Sequence, residues 1–132
     1  MNFNKIKKTV AAGSCVIMLP ASLLFVNAAS LSKDKQTSAY VGETVTLDQT
    51  ATYYTSGNTR WSLSTPLIYR SGTNTSLMSV WATQQSRNEW VSGGNAYTTS
   101  YLGAHAIDFH YNQTNAYPSI TWTYNGSTGT LY

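Results

Sequence analysis

Cysteine is nearly absent from this chain: Cys15 is the single one, and it lies inside an apolar run near the N-terminus. Disulfides therefore do not staple the fold, and stability has to come from packing. Charge is scarce too, at 10% of residues, and three of the eight basic side chains (Lys5, Lys7 and Lys8) fall within the first nine positions. From residue 30 onward Lys33, Lys35, Arg60, Arg70 and Arg87 meet Asp34, Glu43, Asp48, Glu89 and Asp108, five against five. That balance leaves no basic stripe for nucleic acid and no polybasic patch for an anionic membrane. An apolar 3.6-residue period is nowhere sustained for three turns, which excludes a helical bundle. Gly-rich phosphate loops are missing, as is a Gly-x-Ser-x-Gly elbow. Glycoside hydrolysis needs a pair of well-placed carboxylates, and few are available.

The N-terminus accounts for the remaining oddities. A Lys-bearing start, an apolar run from Val10 to Val26 and the small-residue exit "VNAAS" have the order of a secretory signal peptide. The run is short for a spanning helix, which needs about 20 residues. Cys15 sits within the run and not after it, unlike a lipid-modified cysteine. Residues 1–29 are thus expected to direct export and be removed, in a bacterial setting. Residues 30–38, "SLSKDKQTS", are polar and show no period, and are expected to form a flexible leader.

What the rest of the chain has in quantity is Ser, Thr, Asn, Gln and Tyr, arranged in alternation. Val45 and Leu47 oppose Thr44 and Thr46; Trp61 and Leu63 oppose Ser62 and Ser64; Ile120, Trp122 and Tyr124 oppose Ser119, Thr121 and Thr123. Period-two alternation of this kind marks half-buried strands. Strands are expected at 39–47, 50–55, 60–64, 67–71, 76–84, 89–92, 96–102, 105–111, 119–124 and 129–132. The fold class that follows for residues 39–132 is all-β: a single small antiparallel sandwich, or a partly open barrel, made as a hairpin meander. The stretch "YTSGN" at Tyr54 returns as "YRSGTN" at Tyr69. Shared turn residues and no fixed period make this a repeated hairpin corner and not a ligand-reading repeat.

Two sets of residues carry chemistry. The first is His105, Asp108 and His110 in "GAHAIDFHYN". On a strand, Asp108 and His110 share a face while His105 points to the other, so the three do not converge on a metal. Neither cofactor nor metal is expected. The second set is aromatic: ten Tyr and four Trp, against only Phe109 after residue 29. Trp61, Trp122 and Tyr124 lie on apolar faces and are assigned inward. Tyr97 and Tyr101 share a face with Thr99, away from Ala96, Ser100 and Leu102. Trp81 lies opposite Met78 and Val80, and one of Tyr53 and Tyr54 has to turn away from the core. Trp81, Tyr97, Tyr101 and Tyr53 are therefore the candidate binding strip. Such rings either stack on sugars or a protein surface, or pair with each other across strands.

The reading is a secreted, non-enzymatic, extracellular binding module whose partner is a cell-wall or matrix polymer or a surface protein. A small bacteriocin-like antibacterial protein is the alternative from another class. A hydrolase using Asp108 and His110 ranks third.

Overall fold

The computed structural model describes residues 30–132, all-β, in two antiparallel sheets packed face to face without closing into a barrel. The sandwich form of the expected fold is the one adopted. The expected signal peptide lies outside the described residues. The first sheet holds β1 (Ser30–Tyr40), β2 (Thr44–Tyr54), β3 (Trp61–Leu63) and β4 (Leu67–Arg70); the second holds β5 (Leu77–Ser92), β6 (Asn95–Asp108), β7 (Gln113–Ala116), β8 (Ser119–Asn125) and β9 (Thr130–Leu131). Both follow one plan. A long central strand has one long partner on one side and two short strands end to end on the other. β2 lies between β1 and the pair β3, β4; β6 lies between β5 and the pair β8, β7, with β9 beyond β8.

The core shows why so few aliphatics suffice. β6 turns small residues inward (Ala96, Thr98, Ser100, Ala104 and Ala106) beside a single large one, Leu102. The space they leave takes the indoles of Trp61 and Trp122, both essentially fully buried, with Val45 and Leu47 from β2. Small facing large is how a close-packed interior is filled without voids. Tyr53 joins this cluster, edge-on to Trp61 at 4.8 Å and stacked on Tyr124 at 4.0 Å.

Residues 30–38 correct the expectation of a flexible leader. They form most of β1, paired with β2 over eleven positions from Ser30↔Tyr54 to Tyr40↔Thr44. The inward positions are Leu31, Lys33, Lys35, Thr37 and Ala39, all buried or half-buried, while Asp34, Gln36, Ser38 and Tyr40 are exposed. Lysine in that row hides the alternation from a reading by polarity, although its long apolar stem can cover core while the ammonium reaches outward. Lys35 Nζ donates to Thr121 O at 2.6 Å, and Lys33 O accepts from Trp122 Nε1 at 2.9 Å. The segment thus closes one seam of the sandwich.

Strand continuity is the second difference. β5 runs without a break through 85–88, and β6 through 103–104. β5 carries a bulge between Gln84, opposite Leu102, and Ser86, opposite Tyr101. The repeated corner is a hairpin only once, since β2 pairs with β3 across the first whereas β4 and β5 lie in different sheets. Gly57 adopts φ +94, where glycine alone is unstrained, whereas Gly72 has no positive φ and packs against Glu43. Glu43 is itself anchored: Arg70 donates to both of its carboxylate oxygens, at 2.6 and 2.9 Å, and Asn74 N adds a third bond at 2.9 Å. This bidentate pair ties the β1–β2 turn to the β4–β5 loop. The Arg70 hydrogen bonds outweigh desolvation and hold the Glu43 carboxyl below the usual carboxylate range.

Candidate functional site

The outer face of the second sheet gathers most of the sequence's candidates. Outward positions on β6 are Tyr97, Thr99, Tyr101, Gly103 and His105, as the alternation of the sequence implies. Trp81 on β5 stands opposite His105, and their rings stack at 5.3 Å. Eight residues separate Tyr97 from His105, so the row is roughly 27 Å long at the rise of a strand.

Trp90 joins this face for a reason the sequence conceals. Position 81 is odd and position 90 even, so a regular strand would send the two indoles to opposite faces. The bulge at Gln85 adds one unpaired residue and reverses the parity beyond it. Trp90 therefore faces Tyr97, and the two rings lie nearly parallel, 5.0 Å apart and 8° from coplanar. Trp90 and Tyr101 are 40% and 44% exposed, so the row offers ring surface to solvent. Polar neighbours interleave with it: Ser86 and Ser119 flank Tyr101, while Asn88 and Thr121 flank Thr99.

Tyr53 does not belong to this row. It is buried on β2, on the face it shares with Val45, Leu47 and Ala51, and Tyr54 is the residue that turns outward. The expected strand break at 48–49 hides this. Carried through Asp48 and Gln49, the parity of Val45 and Leu47 puts Tyr53 inside.

At the Trp81 end the face becomes polar. Gln85 Nε2 lies 2.7 Å from Thr83 Oγ1, which lies 2.7 Å from His105 Nε2. On the other side of the imidazole, Nδ1 lies 2.6 Å from Asn115 Oδ1, which also accepts from Gln113 Nε2 at 2.8 Å. An amide oxygen only accepts, so His105 Nδ1 carries the proton and Nε2 is the bare acceptor for the Thr83 hydroxyl. Gly103 makes room for this chain: a Cβ there would stand 2.5 Å from both Thr83 Oγ1 and His105 Nε2. His105 is 7% exposed, held between the Trp81 face and the Tyr117 ring, whose centroid is 6.2 Å away.

Asp108 and His110 stand apart from these groups. Asp108 Oδ1 accepts from the backbone N–H of His110 and of Asn112, and Oδ2 from the Asn112 side chain. Those bonds, the Asn112 N–H first, hold its carboxyl below the usual range and make it the cap of the β6–β7 turn. His110 is exposed, and Tyr111 takes up a positive φ of 63° beside it. Among the described residues no group of three or more His, Cys, Asp or Glu gathers to hold a metal, and no helix is long and apolar enough to cross a membrane.

A pocket of about 290 Å³ opens where β5 passes the β3–β4 loop, lined by Leu63, Pro66, Ala82, Thr83, Gln84 and Arg87 among others. Beside it Gln49 donates to Ser64 O and to Gln84 Oε1, while its own buried Oε1 has no partner. No family model, no curated protein and no solved structure matches the chain.

Proposed function

We propose that the protein is an exported binding module that holds a neutral, hydroxyl-rich polymer, such as a cell-wall or matrix polysaccharide, on the outer face of its second sheet. The observation that carries this reading is the outward-facing ring row from Trp90 and Tyr97 through Tyr101 to Trp81. A flat face of amphipathic rings interleaved with Ser, Thr and Asn suits sugar rings, whose C–H faces stack on aromatics while their hydroxyls need donors and acceptors. The balance of five basic and five acidic residues after position 29 agrees with an uncharged partner.

Pull-down with isolated bacterial cell wall and a panel of neutral polysaccharides tests it. Trp90→Ala and Tyr101→Ala together should weaken attachment at least ~30-fold, the equivalent of about 2 kcal/mol at a central aromatic contact. Unchanged attachment by a folded double variant would remove the row as the binding surface. Killing of neighbouring bacteria by the purified protein, indifferent to both substitutions, would favour the antibacterial reading.

A further inference from the structure

The hydrolase alternative read from the sequence uses Asp108 and His110. Thr83, His105 and Asn115 are a different set, contributed by β5, β6 and β7. Their hydrogen bonds run one way: Thr83 hydroxyl to His105 Nε2, then His105 Nδ1–H to Asn115 Oδ1. That is the order of nucleophile, base and orienting group in acyl-transfer sites, which are recognised by geometry and not by chain order. The imidazole is fixed at both nitrogens and against two aromatic rings, so it needs little reorganisation to accept a proton. Gln85 Nε2 donates to the same Thr83 oxygen at 2.7 Å, which leaves the Thr83 proton free to point at His105. On the same outer face the Trp81 ring, stacked on His105, gives apolar surface for a short acyl group beside the Thr83 hydroxyl, whereas the 290 Å³ pocket opens on the inward side of β5.

We infer that Thr83 is an acyl acceptor, with His105 as its general base and Asn115 as the positioning residue, acting on short-chain acyl esters. The Thr83 oxygen attacks the ester carbonyl carbon as its proton passes to His105 Nε2, and the carbonyl electron pair moves onto oxygen. Collapse restores the carbonyl, breaks the bond to the alcohol oxygen and returns the proton from Nε2 to the departing alcohol. Water, deprotonated by the same nitrogen, then attacks the acyl-threonine. The acid leaves, and the proton goes back to the Thr83 oxygen. Ester and water become acid and alcohol, with no other reactant.

The test uses p-nitrophenyl acetate with the exported chain, starting at residue 30. Because this ester is small and soluble, the result is independent of whether the ring row binds a polymer. Expected are release of nitrophenol and one acetyl group on the peptide containing Thr83, found by mass spectrometry. Thr83→Val, nearly the same shape without the hydroxyl, should lose the acetyl entirely. His105→Gln should slow nitrophenol release by about 10²-fold or more, the typical worth of a general base. Asn115→Ala should slow it less, and Asn115→Asp should restore it. Acetylation confined to lysines, or nitrophenol release by Thr83→Val equal to that of the parent, would overturn the proposal. If His105→Gln fails to fold, Thr83→Val still decides between the two outcomes.

Discussion

At the scale of single residues, Gly103 and Glu43 show how a position is set by what surrounds it. A methyl group at 103 would have to displace Thr83 or His105, and β-branched Thr83 has little rotamer freedom to give. Gly103→Ala is expected to break the Thr83–His105 hydrogen bond and cost about 1–3 kcal/mol as overpacking, read from urea denaturation. An unchanged midpoint would mean the side chains part freely. Glu43 supplies a pH dependence. Its folded-state pKa lies below its unfolded value, so its contribution is complete above the ordinary glutamate range and is lost as pH falls through the depressed value. Asp108 acts in the same direction. The melting temperature should therefore hold from neutral pH to about 5 and drop below about 4. Glu43→Gln should melt lower at neutral pH and lose less on acidification. A parallel drop in both proteins would assign the acid sensitivity to other carboxylates.

Strands carry the next level of consequence, and β1 is the clearest case. Among the described residues it pairs only with β2, so alternate backbone N–H groups face a partner while the others face away. Hydrogen exchange across residues 31–40 should show protection at every second amide. Uniformly fast exchange would restore the flexible leader. The bulge in β5 has a consequence of its own. Deleting Gln85 would remove the unpaired residue and leave Trp81 and Trp90 an even number of positions apart, so Trp90 would stay opposite Tyr97 on the outer face of a regular strand. The deletion variant should keep polymer attachment while far-UV circular dichroism stays β-rich. Lost attachment by a folded deletion variant would show that the local twist of the bulge, and not the face alone, sets the ring row.

For the molecule as a whole, the two seams between the sheets differ. Lys33, Lys35 and Trp122 close one of them with direct hydrogen bonds between β1 and β8. The other is bridged by Arg87 Nη2 to Trp61 O and by Gln49 to Gln84, and it leaves the pocket beside them. Trp122 fills the interior and ties the closed seam, so Trp122→Ala should cost about 3–5 kcal/mol in chemical denaturation, as for other buried aromatics. The neutral surface gives a different expectation for binding. Attachment through rings and neutral hydrogen bonds should change less than about twofold between low and moderate salt, because there is little charge to screen. A steep salt dependence would point to an acidic or basic partner instead.

Alternation alone settled the all-β class, the inward placement of Trp61, Trp122 and Tyr124, and the shared outward face of Tyr97 and Tyr101. Each of these depends on neighbours two residues apart, and a strand transmits that period directly from sequence to face. The same rule misplaces Tyr53, because the polar pair Asp48–Gln49 looks like a strand break although Gln49 is tucked inward. Other features depended on contacts between distant segments. β1 is ordered because its lysines find cover across the sandwich. Trp90 reaches the ring row because an unpaired residue sits in β5. Thr83, His105 and Asn115 meet because three strands lie side by side over a glycine. Register and bulges arise from the pairing of whole strands, and no local period records them.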